Sequence, residues 1–405
     1  RSTQAKTLFP YTTLFRSAFF RDNHKLGQQD RHFIAESVFA VLRRHALLTA
    51  LTAPQSTPKR LLIASLVRVR GHNLRELSDA LTEADRKWAG ELKALEPELS
   101  LAQRAELPDW VVEALQAGGM DDDTLLTLGR AMQHPAPLDL RVNTLKTRRE
   151  DALAALQAAG ISAEATPLSP FGLRVKGKPA LTKMPLFTSG QIEVQDEGSQ
   201  LLGLLLAPRR GEMVVDFCAG AGGKTLLLGA MMASTGRLYA FDISEKRLAN
   251  LKPRLARSGL SNVHPQLLAS ENDSRIKRLA GKIDRVLVDA PCSGLGTLRR
   301  NPDLKLRQSP DSVAQLNATQ ASILNAAASL VKPGGRLVYA TCSLLPAEND
   351  AIVDAFLASH PEFSLLNAEA LLAEQRVQLA TGERLRLNPA RDNTDGFFAV
   401  ALTRT

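Results

Sequence analysis

Val214-Val215-Asp216-Phe217-Cys218-Ala219-Gly220-Ala221-Gly222-Gly223-Lys224-Thr225, followed at once by the apolar run Leu226 to Met232, decides the fold class. A strand that runs into a glycine turn and then into a helix lets backbone approach a ligand closely, and the helix N-terminus favours negative groups. That geometry suits a nucleotide-like cofactor. The phosphate-binding pattern G-x-x-x-x-G-K-[ST] needs a glycine where this chain has Cys218, so a phosphate cradle is not expected. The dinucleotide pattern G-x-G-x-x-G fits Gly220 and Gly222 but places Thr225 where a third small residue should stand, which demotes a nicotinamide cofactor without excluding it.

Working outward, a second apolar run, Arg237-Leu238-Tyr239-Ala240-Phe241, ends at Asp242. A carboxylate there can accept hydrogen bonds from the ribose hydroxyls of an adenosine, which serves S-adenosylmethionine as well as a dinucleotide. Further on, Asp289-Ala290-Pro291-Cys292-Ser293-Gly294 and Ala340-Thr341-Cys342-Ser343 each place a cysteine just past an apolar strand-like run. The carboxyl ends of parallel strands open onto the crevice of an α/β sheet, so two thiols are expected at the same site as the cofactor. Thiols beside a methyl donor suggest cytosine chemistry. Cytosine C5 is a poor nucleophile until a thiolate adds to C6 and turns the ring into an enamine-like donor, and a second group must then help release the adduct. Free cysteine has a pKa near 8.5, so such a thiolate needs an environment that favours it.

These residues resemble the NOP/Sun family of RNA 5-methylcytosine methyltransferases, especially its RsmB-type ribosomal RNA members. The resemblance runs from about Asp30 to Leu402 and rests on five strings in the family's order: VQDEGSQLL (Val194 to Leu202), DFCAGAGGKT (Asp216 to Thr225), DAPCSGLGTLRRNPD (Asp289 to Asp303), KPGGRLVYATCS (Lys332 to Ser343) and TDGFFAV (Thr394 to Val400). It implies that Cys342 is the nucleophile, that Cys292 assists breakdown of the adduct, and that Asp289 hydrogen-bonds the cytosine edge near N3. It also implies that Cys218, Ala219, Gly220, Ala221, Gly222, Gly223 and Lys224, with Asp242 and Asp289, line an S-adenosylmethionine site. The chain departs from the family where Gly220-Ala221 replaces the usual Ala-Pro pair, a change of loop stiffness more than of chemistry. A further family carboxylate near the adenine falls on Ser270; Asp273 of the Asp273-Ser274-Arg275 string is carried over in its place, with Glu271 as competitor.

Each of these residues also has a plainer reading. A cysteine at a strand end is often a small core residue, and Cys218 is expected to be structural. Aspartates before helices cap or turn them, which competes with a ligand role for Asp242, Asp289 and above all Asp273. Lys224 could be a solvated side chain.

The 405-residue chain, 44% hydrophobic, is long enough for two or three cored domains. Three scattered cysteines without a C-x-x-C and seven unclustered histidines argue against a disulfide framework or a metal site. A reducing cytoplasm is expected. No apolar run of membrane length and no convincing signal peptide occur. A net charge of +9 favours a polyanionic partner, RNA in this reading. Aromatics at 5% offer no evident stacking platform.

Four segments are expected. Residues 1–17 contain Thr7 to Ser17, which resembles a translated sequencing adapter and is set aside as non-native, the alternative being a native apolar arm. Residues 18–133 carry helical periodicity and resemble the NusB-like RNA-binding domain of RsmB-type enzymes, shortened at its start if the adapter reading holds. Residues 134–190 open on the His134-Pro135-Ala136-Pro137 linker and form a small α/β RNA-guiding module whose LRVN string includes Arg141 and Asn143. Residues 191–405 form the Rossmann-like methyltransferase domain, with a mostly parallel sheet; the fold class is α/β. Arg299 and Arg300 are placed to meet substrate phosphate. The target cytosine has to be unstacked to reach Cys342. The expected activity is methyl transfer to cytosine C5 of small-subunit ribosomal RNA by a monomer without metal. The same chemistry on transfer RNA and a non-catalytic RNA-binding assembly factor are the rivals.

Overall fold

The computed structural model describes residues 19–177 and 179–405; the adapter-like stretch lies outside the described residues. The chain divides into two units. One comprises the residues up to Pro135 together with Thr297–Pro310, the other Ala136–Gly296 together with Asp311–Thr405.

The first unit is helical, with helices at Gln28–Arg43, His45–Thr52, Pro58–Ala64, Glu83–Glu91, Leu101–Ala105, Asp109–Ala117 and Asp122–Met132. Local chemistry sets several starts. Thr82 with Asp85, and Ser100 with Gln103, form reciprocal capping boxes, and Asp121 accepts from the Thr124 N–H. Val41, Leu48, Leu51, Leu61 and Leu92 form one apolar cluster. The inserted Thr297–Pro310 segment brings a buried ion pair: Lys305 Nζ lies 3.1 Å from Glu106 Oε2 and donates to the carbonyls of Arg43 and Glu106. Glu106 in turn accepts from the Ala46 and Leu47 N–H groups at the start of a helix. This insertion corrects the expectation for Arg299. Its side chain is buried within the helical unit and donates to the Pro135 carbonyl, so it is not displayed to a phosphate.

The second unit contains two sheets. The smaller is antiparallel, in the order β2-β3-β1-β4, with β1 Leu138–Val142, β2 Ala163–Ala165, β3 Gly172–Val175 and β4 Ile192–Val194. Its fourth strand lies beyond residue 190, where a boundary was expected, because β4 pairs with β1. The LRVN string is internal. Arg141 is fully buried on Gln195, and Asn143 donates to the carbonyls of Gly190 and Ser258. Glu193 of β4 holds Arg254 and Arg257 of the helix Glu245–Ser258. These bonds fix the small sheet against the helix Glu245–Ser258 that flanks the larger one.

The larger sheet comprises β5 Met213–Asp216, β6 Arg237–Asp242, β7 Val263–Leu267, β8 Ile283–Asp289, β9 Val331–Thr341, β10 Phe363–Leu366, β11 Arg384–Leu387 and β12 Phe397–Arg404. Its order is β10-β12-β9-β8-β5-β6-β7, with β11 also pairing β12. Strands β5 to β9 are mutually parallel, whereas β12 is antiparallel to its neighbours. Strands buried on both faces have to be apolar throughout, which explains runs such as Val286-Leu287-Val288. After β5 the chain first builds outward through β6 and β7, then returns to add β8 on the other side of β5. That reversal opens a crevice at the strand carboxyl ends.

Candidate active site

The crevice is a cavity of about 710 Å³ lined by residues that follow β5, β6, β8 and β9. At the β5 end the glycine turn is made almost wholly of backbone. Gly220 and Gly222 have φ of +56° and +83°, a region costly for other residues, and a Cβ on Gly222 would lie 2.1 Å from Leu251 Cδ1. The helix Gly223–Met231 follows directly. Asp242, at the tip of β6, braces the turn, its Oδ2 accepting from the Gly220 N–H at 2.8 Å and its Oδ1 from the Ser244 N–H at 2.7 Å. A carboxylate has about four acceptor positions, so two remain for a ligand.

Beneath the turn, Asp216 is buried and its Oδ2 accepts from Thr225 Oγ1 at 2.7 Å, while Oδ1 has no hydrogen-bond partner. Burial pushes its pKa up to about 7, against the Thr225 hydrogen bond and with help from the Asp289 charge. Lys224 is not solvated. Its Nζ lies 2.6 Å from Asp289 Oδ2, and although burial alone would lower its pKa, Asp289, Asp216 and Cys342 hold it above the ordinary lysine value. Lys224 thereby fixes one oxygen of Asp289 at the cavity wall.

Cys292 and Cys342 come together from β8 and β9 with their sulfurs 3.4 Å apart, a thiol–thiol contact and not a disulfide, whose bond is about 2.05 Å. The hydrogen bond to Cys342, then burial and the charge of Glu348, push the Cys292 thiol well above its ordinary pKa. That shift keeps Cys292 a thiol, able to donate a hydrogen bond. Cys218 also lines the cavity, but burial and the carboxylates of Asp289, Asp216 and Asp242 raise its pKa strongly, which suits an inert packing thiol.

Most of the sequence-expected residues thus meet at one cavity: Cys218, Ala219, Gly220, Ala221, Gly223, Lys224, Asp242, Asp289, Cys292 and Cys342 all line it. Gly222 shapes the turn from behind. Asp273 is not among the lining residues. It caps the short helix Ser274–Arg278, accepts from the N–H groups of Arg275 and Ala269, and pairs with the Arg275 guanidinium, which holds its carboxyl well below the usual range. Glu271, its competitor, does line the cavity and accepts from Ser322 Oγ at 2.7 Å. Several apolar wall residues went unread in the sequence, Ile243, Leu268, Leu316 and Ile323 among them. Ile243 is 70% exposed at the cavity edge and Leu268 sits deeper. The available signal was the position of Ile243 directly after the strand-ending Asp242, where an exposed large apolar side chain calls for an apolar partner.

These residues suit S-adenosylmethionine. The bare glycine turn admits close approach, Asp242 keeps acceptor capacity, Asp216 presents a partnerless buried oxygen, and Ile243 offers an apolar face. Among the described residues no cluster of metal ligands occurs and no helix is long and apolar enough to cross a membrane.

Comparison with known proteins points the same way. The family profile described as 16S rRNA methyltransferase RsmB/F matches residues 203–403, and a profile for the RsmF/B-like ferredoxin-like domain matches residues 107–182. A probable ribosomal RNA small subunit methyltransferase B of Synechocystis is 33% identical, over 94% of this chain and 93% of its own length. Another, from Bacillus subtilis, is 30% identical over 97% and 95%. The solved structure of a methyltransferase homolog protein from Pyrococcus horikoshii superposes with a TM-score of 0.60 at 28% identity, covering 74% of this chain and 100% of that one.

Proposed function

The chain belongs to the 16S rRNA methyltransferase RsmB/F family and is an S-adenosylmethionine-dependent RNA methyltransferase, and from this premise we propose that it methylates C5 of a cytosine in small-subunit ribosomal RNA through a covalent adduct on Cys342. The observation that carries the reading is the pair of sulfurs 3.4 Å apart on the wall of the cavity that the glycine turn also lines. A single thiol could be packing; two in contact, at adjacent strand ends, suit a reaction that needs a nucleophile and a helper.

In this reading the turn Cys218 to Lys224, with Asp242, Asp216 and Ile243, holds the cofactor. S-adenosylmethionine, when bound, would supply an electrophilic methyl group, the methyl–sulfur bond breaking and S-adenosylhomocysteine leaving as C5 takes the methyl. The Cys342 thiolate adds to cytosine C6, and the electron pair displaced from the C5–C6 double bond makes C5 the nucleophile. Asp289, held by Lys224, accepts from the cytosine 4-amino group on the edge near N3, and the Lys224 ammonium behind it offsets the negative charge that develops as sulfur adds. Once C5 carries the methyl group, its proton passes to a solvent base, the C–H electron pair restores the double bond, and the C6–S bond breaks. The Cys292 S–H then hydrogen-bonds the departing Cys342 thiolate and eases its release. The helical unit is assigned to RNA selection.

The test is to incubate Cys292→Ala and Cys342→Ala variants with total bacterial RNA and cofactor, then run denaturing electrophoresis. A covalent protein–RNA band for Cys292→Ala alone, mapping to small-subunit ribosomal RNA, is the expected result. A band mapping to transfer RNA would replace the substrate. No band, with cofactor binding intact, would favour a non-catalytic RNA-binding role.

A further inference from the structure

Behind the two thiols lies a buried carboxylate that the chemistry above does not use. Glu348 is 0% exposed, at the end of the short 3-10 turn Pro346–Glu348. Among the described residues no basic side chain pairs with it. Four donors hold it: the Ser293 N–H at 2.8 Å and Gln320 Nε2 at 2.9 Å on Oε1, and the hydroxyls of Ser293 and Ser343 on Oε2. Four donors match the capacity of an ionised carboxylate. A buried charge without a countercharge is expensive, and removing one partner leaves the others unsatisfied.

The partners are not arbitrary. Ser293 follows Cys292 and Ser343 follows Cys342, and their hydroxyl oxygens lie 3.1 Å apart on the same carboxylate oxygen. Ser343 Oγ also accepts from the Leu345 N–H, and Gln320 donates in addition to the Pro291 carbonyl, so the cross-link reaches both sides of Cys292 and the chain that follows Cys342. We propose that Glu348 is a positioning residue that ties the Cys292 and Cys342 loops together through the serine after each cysteine, and so sets the distance between the two sulfurs. The inference rests on the thiol chemistry proposed above and adds to it the group that keeps the thiols in register. Glu348 itself touches neither sulfur. Its negative charge nonetheless contributes to keeping Cys292 protonated.

The experiment compares Glu348→Gln with wild type by three measurements. Turnover under saturating cofactor and RNA should fall about 100-fold, the scale of a misplacement of roughly 1 Å at a reacting pair, while the dissociation constant for cofactor stays unchanged. The lifetime of the covalent RNA adduct should lengthen, and this effect should vanish in a Cys292→Ala background, because the two residues act on one step. In the protein alone, the pH profile of thiol alkylation should shift to lower pH as the negative charge is removed. Should Glu348→Gln fail to fold, Ser293→Ala with Ser343→Ala removes the same hydroxyl cross-link and should reproduce all but the alkylation shift. Unchanged turnover, an equal loss of cofactor binding and turnover, or an adduct effect that persists without Cys292 would each overturn the proposal. If Cys292→Ala itself traps no adduct, the release chemistry fails separately, and Glu348 stands or falls on turnover and alkylation.

Discussion

The two ends of the cavity are built by opposite means. At the β5 end, binding capacity comes from main chain: a turn at positive φ, a helix start, and one carboxylate bracing a backbone N–H. At the β8–β9 end it comes from side chains, two thiols whose separation depends on a buried hydroxyl–carboxylate network. Main-chain sites tolerate side-chain change but not a change of backbone conformation. Side-chain sites behave the other way, and they fail through loss of a single partner.

The sharpest way to separate the ends is Cys342→Ala. It should reduce turnover by on the order of 10⁴-fold or more, as for removal of a catalytic nucleophile, with the cofactor dissociation constant unmoved. Appreciable residual methylation would sink the assignment. The corresponding break at the other end is Gly222→Ala, where the added Cβ meets both a positive φ and Leu251. A loss of about 2–4 kcal/mol in chemical denaturation is expected, with cofactor affinity falling alongside. Asp242→Ala should act more locally, weakening cofactor binding by about 1–3 kcal/mol in titration calorimetry while the reactivity of the thiols is preserved.

A further effect distinguishes the ends by pH. Asp216 keeps its proton up to about pH 7 in the folded protein, whereas an unfolded aspartate loses it near 3.9. Between those values the folded state binds the extra proton, so stability falls as pH rises from about 4 to 7 and levels off above. Relative to Asp216→Asn, the wild type should lose about 1 kcal/mol per pH unit within that window; a parallel pair of curves would contradict the buried, raised carboxyl. The smallest change concerns the adenine side: Glu271→Gln should weaken cofactor binding measurably, and Asp273→Ala should not. The reverse result would restore Asp273 to the site.

The contrast between the ends also explains what could be read from the sequence. A glycine turn between an apolar strand and an apolar helix is a local pattern, and so is a strand ending in Asp242; both were legible because main-chain sites are written contiguously. The cysteines were legible one at a time, each after its strand, and the resemblance supplied their partnership. Glu348 was not, since a glutamate after a Pro-Ala pair reads as surface, and only the pairing of β8 with β9 brings Ser293 and Ser343 to it. Asp273 was carried over, three residues from the expected position, because Asp273-Ser274-Arg275 fits the family's Asp-x-Arg string, and the same string is a helix start in which the aspartate caps. Arg299 misled for another reason. The segments that flank Thr297–Pro310 in sequence belong to the unit that holds the cavity, but Thr297–Pro310 itself, Arg299 included, belongs with helices made much earlier.

That last feature has a consequence for the order of events during synthesis. Glu106 and Lys305 are 199 residues apart in sequence. At roughly 5–20 residues per second, the ribosome delivers the lysine about 10–40 s after the glutamate. Through that interval Glu106, destined for burial, has only the partly exposed Arg44 guanidinium, 3.5 Å away in the folded unit, as a cation. The nascent helical unit therefore waits, incomplete, for a piece of chain that emerges only after β8 has been translated.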